Sequence, residues 1–226
     1  MALHVLVMAP TRRAASETFI RANLVGLPFR KTAVFGDERP MHRPLALVHG
    51  LAVLLSKAFT RLGWLRLASL PASCTTWMLL QRHRPDVVLV DFGFHAVRVM
   101  EATAWCAVPL VVHFRGSDAS SEAKFQRLTN RYRRLFQLSA GVIVKSRPMQ
   151  VVLKGLGADP ETLLISPSGA DPLLFHGAKP ASVSPRFLAV GRLVAKKGPL
   201  QTLEAFARMR DSLLQRLRQG VVAAGR

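Results

Sequence analysis

Short apolar runs bounded by turn residues recur through the first three quarters of the chain. They are rich in Val, Ile and Leu, which is typical of strands buried within a parallel sheet. We predict strands at Leu3–Met8, Thr32–Phe35, Asp86–Val90, Leu110–Phe114, Gly141–Val144 and Leu163–Ile165. Each run is too short to be a transmembrane segment.

Between these runs the apolar residues recur with the spacing of an amphipathic helix. We predict helices at Glu17–Gly26, Leu45–Arg61, Thr75–Arg84, His95–Trp105, Ser120–Leu138 and Pro148–Leu156. Alternation of strands and helices predicts an α/β fold with a doubly wound parallel sheet.

The segment 171–185 is rich in proline and lacks apolar periodicity, so it predicts a connection between domains. We place an N-terminal Rossmann-like domain at 1–175, a linker at 176–185 and the start of a second Rossmann-like domain at 186–226. The second domain is predicted to contain strands at Arg186–Val190 and Val221–Ala224 around a helix at Leu200–Arg218. Two strands and one helix cannot cover both faces of a sheet, so we expect exposed apolar surface or poor order there.

The composition is that of a basic globular protein. Among 226 residues, 32 Lys and Arg against 13 Asp and Glu give a formal charge of +19, and half of all residues are hydrophobic. Such a surface attracts anions, including phosphates, anionic lipids and nucleic acids. Cys74 and Cys106 lack the spacing of metal ligands, so we expect no metal site and no disulfide framework.

The N-terminal residues 1–10 resemble a buried first strand more than a signal peptide, because no basic segment precedes the apolar run. The apolar stretch Leu45–Leu55 is too short to cross a bilayer, which needs about 20 residues. We therefore expect a cytoplasmic protein.

The loop after the first predicted strand, T-R-R-A-A-S-E-T-F, leads into a helix that Ser16 could cap. Ligands of open α/β sheets bind beyond the carboxyl ends of strands, so Ser16, Glu17 and Thr18 are candidate site-lining residues. Alternatively, Ser16 is a simple helix cap and the two arginines are solvated. The dinucleotide-binding pattern G-x-G-x-x-G is absent.

The densest polar cluster, H-F-R-G-S-D, follows the strand that begins at Leu110. His113 and Asp118 are candidate proton-accepting or hydrogen-bonding groups, and Arg115 is a candidate for lining the site. Gly116 would let a ligand approach the backbone. In the alternative interpretation, Asp118 or Ser117 caps the next helix and His113 is satisfied by backbone groups.

Two later segments complete the candidate chemistry. Gly169 and Asp171 lie in S-G-A-D-P, which by itself predicts a turn. In V-G-R-L-V-A-K-K-G, Arg192 and Lys197 precede a predicted helix, where cations and backbone N–H groups together favour phosphate. A solvated basic loop is the alternative.

Taken in order, four segments resemble retaining glycosyltransferases of family 4 with the GT-B fold, especially those of colanic-acid-type exopolysaccharide synthesis. They are S-E-T-F-I at 16–20, H-F-R-G-S-D-A-S at 113–120, S-G-A-D-P-L-L-F at 168–175 and V-G-R-L-V-A-K-K-G at 190–198. The resemblance runs from about Leu3 to Met209.

The resemblance implies transfer of a sugar from a nucleotide-sugar donor to a cell-surface polysaccharide or lipid-linked acceptor. It places the donor between two Rossmann-like domains, with Arg192 and Lys197 on the donor diphosphate as electrostatic stabilisers of the leaving group. His113 and Asp118 would shape the site around the transferred sugar. No metal and no cofactor beyond the donor are implied.

Three departures from the family pattern accompany the resemblance. Arg115 replaces the histidine that many relatives have before the glycine, and Ser168-Gly169-Ala170-Asp171 replaces N-G-V-D. The later motif of two glutamates that binds the donor is missing. The resemblance therefore implies a C-terminally truncated chain that transfers little or no sugar alone.

The stretch Met41–Leu70 interleaves basic residues with Leu, Val, Phe and Trp. This pattern is compatible with a helix on an anionic membrane surface, and alternatively with a pair of core-facing helices whose basic side chains snorkel. The alternative overall function is a non-catalytic basic module that binds membrane or nucleic acid. We expect no nucleic-acid partner, because no reading motif or stacking aromatic array accompanies the basic residues.

Overall fold

The computed structural model describes residues 3–11, 18–36, 43–116, 118, 122–177, 179, 187–191 and 193–224. The described chain divides into two compact units, Met1–Gly169 and Ala170–Arg226. Each unit is described by itself below.

The first unit is a six-stranded parallel sheet with helices between its strands, which confirms the predicted α/β, Rossmann-like fold. The strands are β1 His4–Ala9, β2 Arg30–Phe35, β3 Val87–Asp91, β4 Leu110–His113, β5 Ser139–Val144 and β6 Leu163–Ile165. The helices are α1 Thr18–Gly26, α2 Arg43–Arg61, α3 Leu65–His83, α4 Gly93–Trp105, α5 Glu122–Leu138 and α6 Arg147–Gly155. All six strands and all six helices predicted for this part of the chain are present.

The order of the strands locates the expected ligand crevice. They lie in the order β2-β1-β3-β4-β5-β6, so the chain first steps to one side of β1 and then crosses to the other side at β3. Ligands of open α/β sheets bind at such a reversal, beyond the carboxyl ends of the strands. The loops after β1, β3 and β4 therefore surround the candidate site.

The core forms where central strands meet the flanking helices. Every residue of β1 is buried, whereas the edge strand β2 is mostly exposed. Phe114 is fully buried and its ring contacts Tyr132 edge-to-face at 5.3 Å, which joins the end of β4 to α5. Apolar burial of this kind is the main driving force of folding.

Helix α3 begins at Leu65, ten residues earlier than the predicted start at Thr75. Pro71 lies inside the helix, and proline interrupts helical hydrogen bonding, which is why the sequence favoured a later start. Thr75 Oγ1 donates to the carbonyl of Pro71 at 2.8 Å, and Ala72 and Ser73 are buried against the rest of the unit. Tertiary packing therefore outweighs the local penalty.

The second unit differs from prediction. Residues 187–190 are not a strand, and Phe187, Leu188 and Val190 are exposed. Val221–Ala224, also predicted as a strand, is the end of helix α7, Pro199–Ala224. A helix satisfies its backbone hydrogen bonds locally, whereas a strand needs a neighbouring strand, and the described part of this unit contains none.

Candidate functional site

The candidate site lies at the carboxyl ends of β3, β4 and β5. The pairing of β3 with β4 sets Asp91 opposite His113, and the pairing of β4 with β5 sets His113 opposite Ile143. Arg115 lies two residues after His113 in the chain, and Lys145 lies two residues after Ile143. The sheet register thus brings one acidic and three basic side chains to one edge.

Asp91 and Arg115 form a buried ion pair at this edge. Arg115 Nη2 donates to Asp91 Oδ1 at 2.7 Å, and the two side chains are 6% and 3% exposed. The Arg115 guanidinium also lies 4.1 Å from the centre of the Phe19 ring, as in a cation–π contact. Arg115 Nε is buried and has no hydrogen-bond partner among the described residues.

His113 is a neutral imidazole in this setting. Burial, together with the positive charges of Arg115 and Lys145, lowers the pKa of His113 to about 3. Its Nδ1 lies 3.6 Å from Asp91 Oδ1, which favours the proton on Nδ1. Nε2 is then an acceptor, and within the described structure it has no hydrogen-bond partner.

Asp118 holds the polypeptide around the site. The carboxylate is fully buried, and it accepts hydrogen bonds from the backbone N–H of Arg115 at 2.8 Å and of Phe94 at 3.2 Å. It therefore ties the loop after β4 to the first turn of α4. These are the contacts of a positioning residue, and the catalytic role that we assigned to Asp118 stays a prediction.

Lys145 was not among the residues predicted from the sequence. It directly follows β5 and is half-buried, and burial and Arg115 lower its pKa while Asp91 raises it. Ser146 then caps α6 by accepting from the backbone N–H of Met149 at 3.4 Å. Asp91 was also missed, although both residues lie where a predicted strand ends, which is the signal that could have identified them.

The turn after β3 has an unusual backbone. Phe92 has φ 75°, a region that residues with a large side chain rarely adopt. Its ring packs against Phe19 at 6.2 Å and Phe94 at 5.1 Å, and its N–H donates to the carbonyl of His113 at 3.0 Å. Packing and hydrogen bonding thus hold a strained residue beside Asp91.

The remaining predicted site residues are placed as follows. Thr18 is the exposed first residue of α1, while Ser16 and Glu17 lie outside the described residues. Gly116 is exposed, and apart from its chain neighbours no atom of the described residues lies within 4 Å of the position a Cβ would take there. Gly169 is equally open and ends the first unit.

Asp171 and Lys197 belong to the second unit. Asp171 Oδ1 accepts from the N–H of Leu173 at 2.9 Å, which stabilises a turn. Lys197 is exposed and ends a short 3-10 turn, Ala195–Lys197, two residues before α7 begins. Arg192 lies outside the described residues.

Two negative findings concern the described part of the chain. No group of three His, Cys, Asp or Glu side chains is placed there to hold a metal ion. No helix in the same residues has both the length and the apolar character that crossing a bilayer requires.

The fold and the site define a Rossmann-like α/β protein with a polar centre beyond the carboxyl ends of its parallel strands. The family model of glycosyltransferase family 4 matches residues 26–172. This match covers well over half of the chain and includes β2 to β6, so the protein belongs to glycosyltransferase family 4.

One solved structure agrees with the fold, and a second gives a weaker match. UDP-N-acetylglucosamine 2-epimerase from Rickettsia bellii matches 74% of this chain and 45% of its own, with 15% identity and a TM-score of 0.50. A UDP-glucosyltransferase from Polygonum tinctorium matches 75% of this chain and 53% of its own, with 13% identity and a TM-score of 0.37. The chain thus spans about half the length of each. No curated protein matches it.

Proposed function

We propose that this protein takes part in glycosyl transfer from a nucleotide-sugar donor to a saccharide or lipid-linked acceptor in cell-surface polysaccharide synthesis. Membership of glycosyltransferase family 4 supports the reaction class. The observation that carries the proposal is His113, a buried neutral imidazole whose Nε2 has no partner among the described residues. We assign this buried acceptor, beyond the carboxyl ends of the strands, to a sugar hydroxyl, which donates a hydrogen bond.

The charges around His113 suit the same reaction. Breaking a glycosidic bond to a nucleoside diphosphate leaves negative charge on the departing phosphate, which positive groups stabilise. Arg115 and Lys145 supply such groups at the strand edge, with Asp91 as the partner that fixes Arg115. Arg192 and Lys197 stay our proposal for the donor diphosphate itself.

Calorimetric titration with UDP, GDP and their sugars tests this proposal. Wild type is compared with His113→Gln, Arg192→Ala and Lys197→Ala, and with Lys154→Ala, an exposed lysine in α6, as a matched control. Binding that is lost in the site variants and kept in the control supports the proposal. A folded chain that binds none of these nucleotides would contradict it.

We propose further that helices α2 and α3 rest on an anionic membrane surface. In α2 the exposed side chains Leu47, Leu51, Leu54 and Leu55 recur at helical spacing, and each is at least 60% exposed. From residue 39 to residue 85 the sequence contains seven Lys or Arg and no Asp or Glu. An apolar stripe on a helix without acidic residues is typical of binding to anionic lipid.

Flotation with lipid vesicles tests the membrane proposal separately from sugar transfer. We expect the protein to float with vesicles containing phosphatidylglycerol, less so with added salt, and Leu51→Ser to reduce flotation. Val151→Ser in α6 is the control, because Val151 is equally exposed on a different helix. Equal flotation of wild type and Leu51→Ser would exclude α2 as the contact.

A further inference from the structure

A second polar centre lies away from the strand edge, in a groove among α3, α4 and α5. The cavity has a volume of about 490 Å³ and is lined by three arginines, Arg66, Arg131 and Arg134, and by one carboxylate, Glu101. Three positive charges thus face one negative charge. This imbalance inside a concave surface is the electrostatic requirement for binding an anion.

The distances show that Glu101 is shared and does not neutralise the arginines. Its Oε1 lies 3.5 Å from Arg131 Nη1 and its Oε2 lies 3.6 Å from Arg134 Nη2, both longer than a strong charge-assisted hydrogen bond. Arg66 has no ion pair among the described residues. The groove therefore retains guanidinium groups that can turn to a ligand.

Arg131 is the fixed member of the cluster. It is 8% exposed, and its Nη2 donates to the carbonyl of Val97 at 2.7 Å and to Ser69 Oγ at 3.3 Å. These bonds join α5 to α3 and α4, so a purely structural role accounts for Arg131. It does not account for Arg66 and Arg134, which are exposed at the mouth of the same cavity.

The charges of the cluster act on the pKa of Arg131, its buried member. Burial lowers the pKa of Arg131, Arg66 and Arg134 lower it further, and Glu101 raises it. A bound anion would relieve this repulsion, because it adds the negative charge that the groove lacks.

The apolar side chains at the border of the groove indicate the kind of molecule to which the anion belongs. Leu70 and Trp105 line it, and they are 46% and 58% exposed. A planar guanidinium fork matches phosphate geometry, whereas an exposed leucine and an exposed indole match hydrocarbon. We propose that this groove binds the phosphate group of an amphiphilic ligand, with the arginines on the phosphate and Leu70 and Trp105 beside the lipid chain.

A soluble phosphate monoester carries the same phosphate group as a phospholipid. The experiment therefore measures binding to a soluble phosphate and, separately, to a membrane. The purified 226-residue chain is titrated with glycerol phosphate and sedimented with phosphatidylcholine vesicles with and without phosphatidic acid. The double variant Arg66→Gln/Arg134→Gln is compared with Arg133→Gln/Lys154→Gln, which removes the same charge from exposed positions outside the groove and outside helices α2 and α3.

We expect the groove variant to bind phosphatidic acid vesicles about tenfold more weakly, the effect of losing roughly 1.4 kcal/mol, and the control variant to bind like wild type. A parallel loss with glycerol phosphate supports a phosphate site that accepts either source, and a loss with vesicles alone supports the lipid. An equal loss in both variants, or no binding by wild type, would overturn the proposal.

Discussion

The Arg115 guanidinium donates to the Asp91 carboxylate at 2.7 Å across the ends of β4 and β3, with both side chains almost fully buried. The positive charge of Arg115, after burial, contributes to lowering the pKa of His113. Arg115 therefore both pairs with Asp91 and changes the chemistry of His113.

Replacing Arg115 with Gln should destabilise the protein by about 3 kcal/mol, because Asp91 would stay buried without its charged partner. Urea unfolding followed by circular dichroism measures the change. Arg133→Gln is the control, since Arg133 is exposed and its Nη1 donates only a long hydrogen bond, 3.5 Å, to Asn130 Oδ1. Equal stability of the two variants would show that the ion pair is dispensable.

The titration of His113 predicts how stability depends on pH. The folded-state pKa of His113, about 3, lies below the usual histidine value of 6.5, so the unfolded state binds the proton more readily. The stabilisation is present above pH 6.5 and is lost progressively as the pH falls toward 3. The urea concentration at the unfolding midpoint of wild type should therefore fall as the pH is lowered across this window.

His113→Gln should flatten that part of the pH profile, because glutamine does not titrate. The control is His176→Gln, since His176 is exposed and its replacement should leave the wild-type slope unchanged. An unaltered slope in His113→Gln would assign the acid sensitivity to other groups.

Gly93 is predicted to tolerate no side chain. A Cβ atom there would meet Phe114 Cε1 at 2.4 Å, and the Phe114 ring is held by Tyr132 at 5.3 Å and Phe136 at 5.8 Å. We expect Gly93→Ala to lower stability by about 1–3 kcal/mol through overpacking. Gly155→Ala, at a helical position with open space around it, should be neutral or mildly stabilising. Matching thermal midpoints for the two variants would refute the steric argument.

Asp118→Asn should loosen the loop after β4. Both carboxylate oxygens accept backbone N–H groups, whereas asparagine presents one oxygen and one NH₂ group to the same two donors. A loss of about 1–3 kcal/mol is expected, together with faster amide exchange at Phe94 and Arg115. Asp159→Asn is the control, because the Asp159 side chain accepts a hydrogen bond from the backbone N–H of Glu161 in an exposed turn. Unchanged exchange at both amides would remove the positioning role.

Periodicity predicted the first unit well because its central strands β1, β3 and β4 are largely buried on both faces and read as continuous apolar runs. It failed for the start of α3, where burial of Ala72 and Ser73 supports a helix through Pro71. It also failed at Val221–Ala224, since a β-branched run can be strand or helix and the choice depends on whether a neighbouring strand is present.

The candidate site was predicted in part. His113 and Arg115 could be found because they follow a strand within one short polar segment. Asp91 and Lys145 were missed because each follows a different strand and is separated from His113 by 22 and 32 positions in the sequence. Nothing local links them to it.

The sequence by itself determined the alternation of strands and helices, the basic charge and the family motifs, since each depends on residues close together along the chain. The tertiary structure alone decided that Asp91, His113, Arg115 and Lys145 meet at one edge, because strand order and register set which distant residues become neighbours. It also decided that Arg66, Arg131 and Arg134 share one groove. The net charge follows from the composition, whereas the clustering of charged side chains at one site depends on the fold.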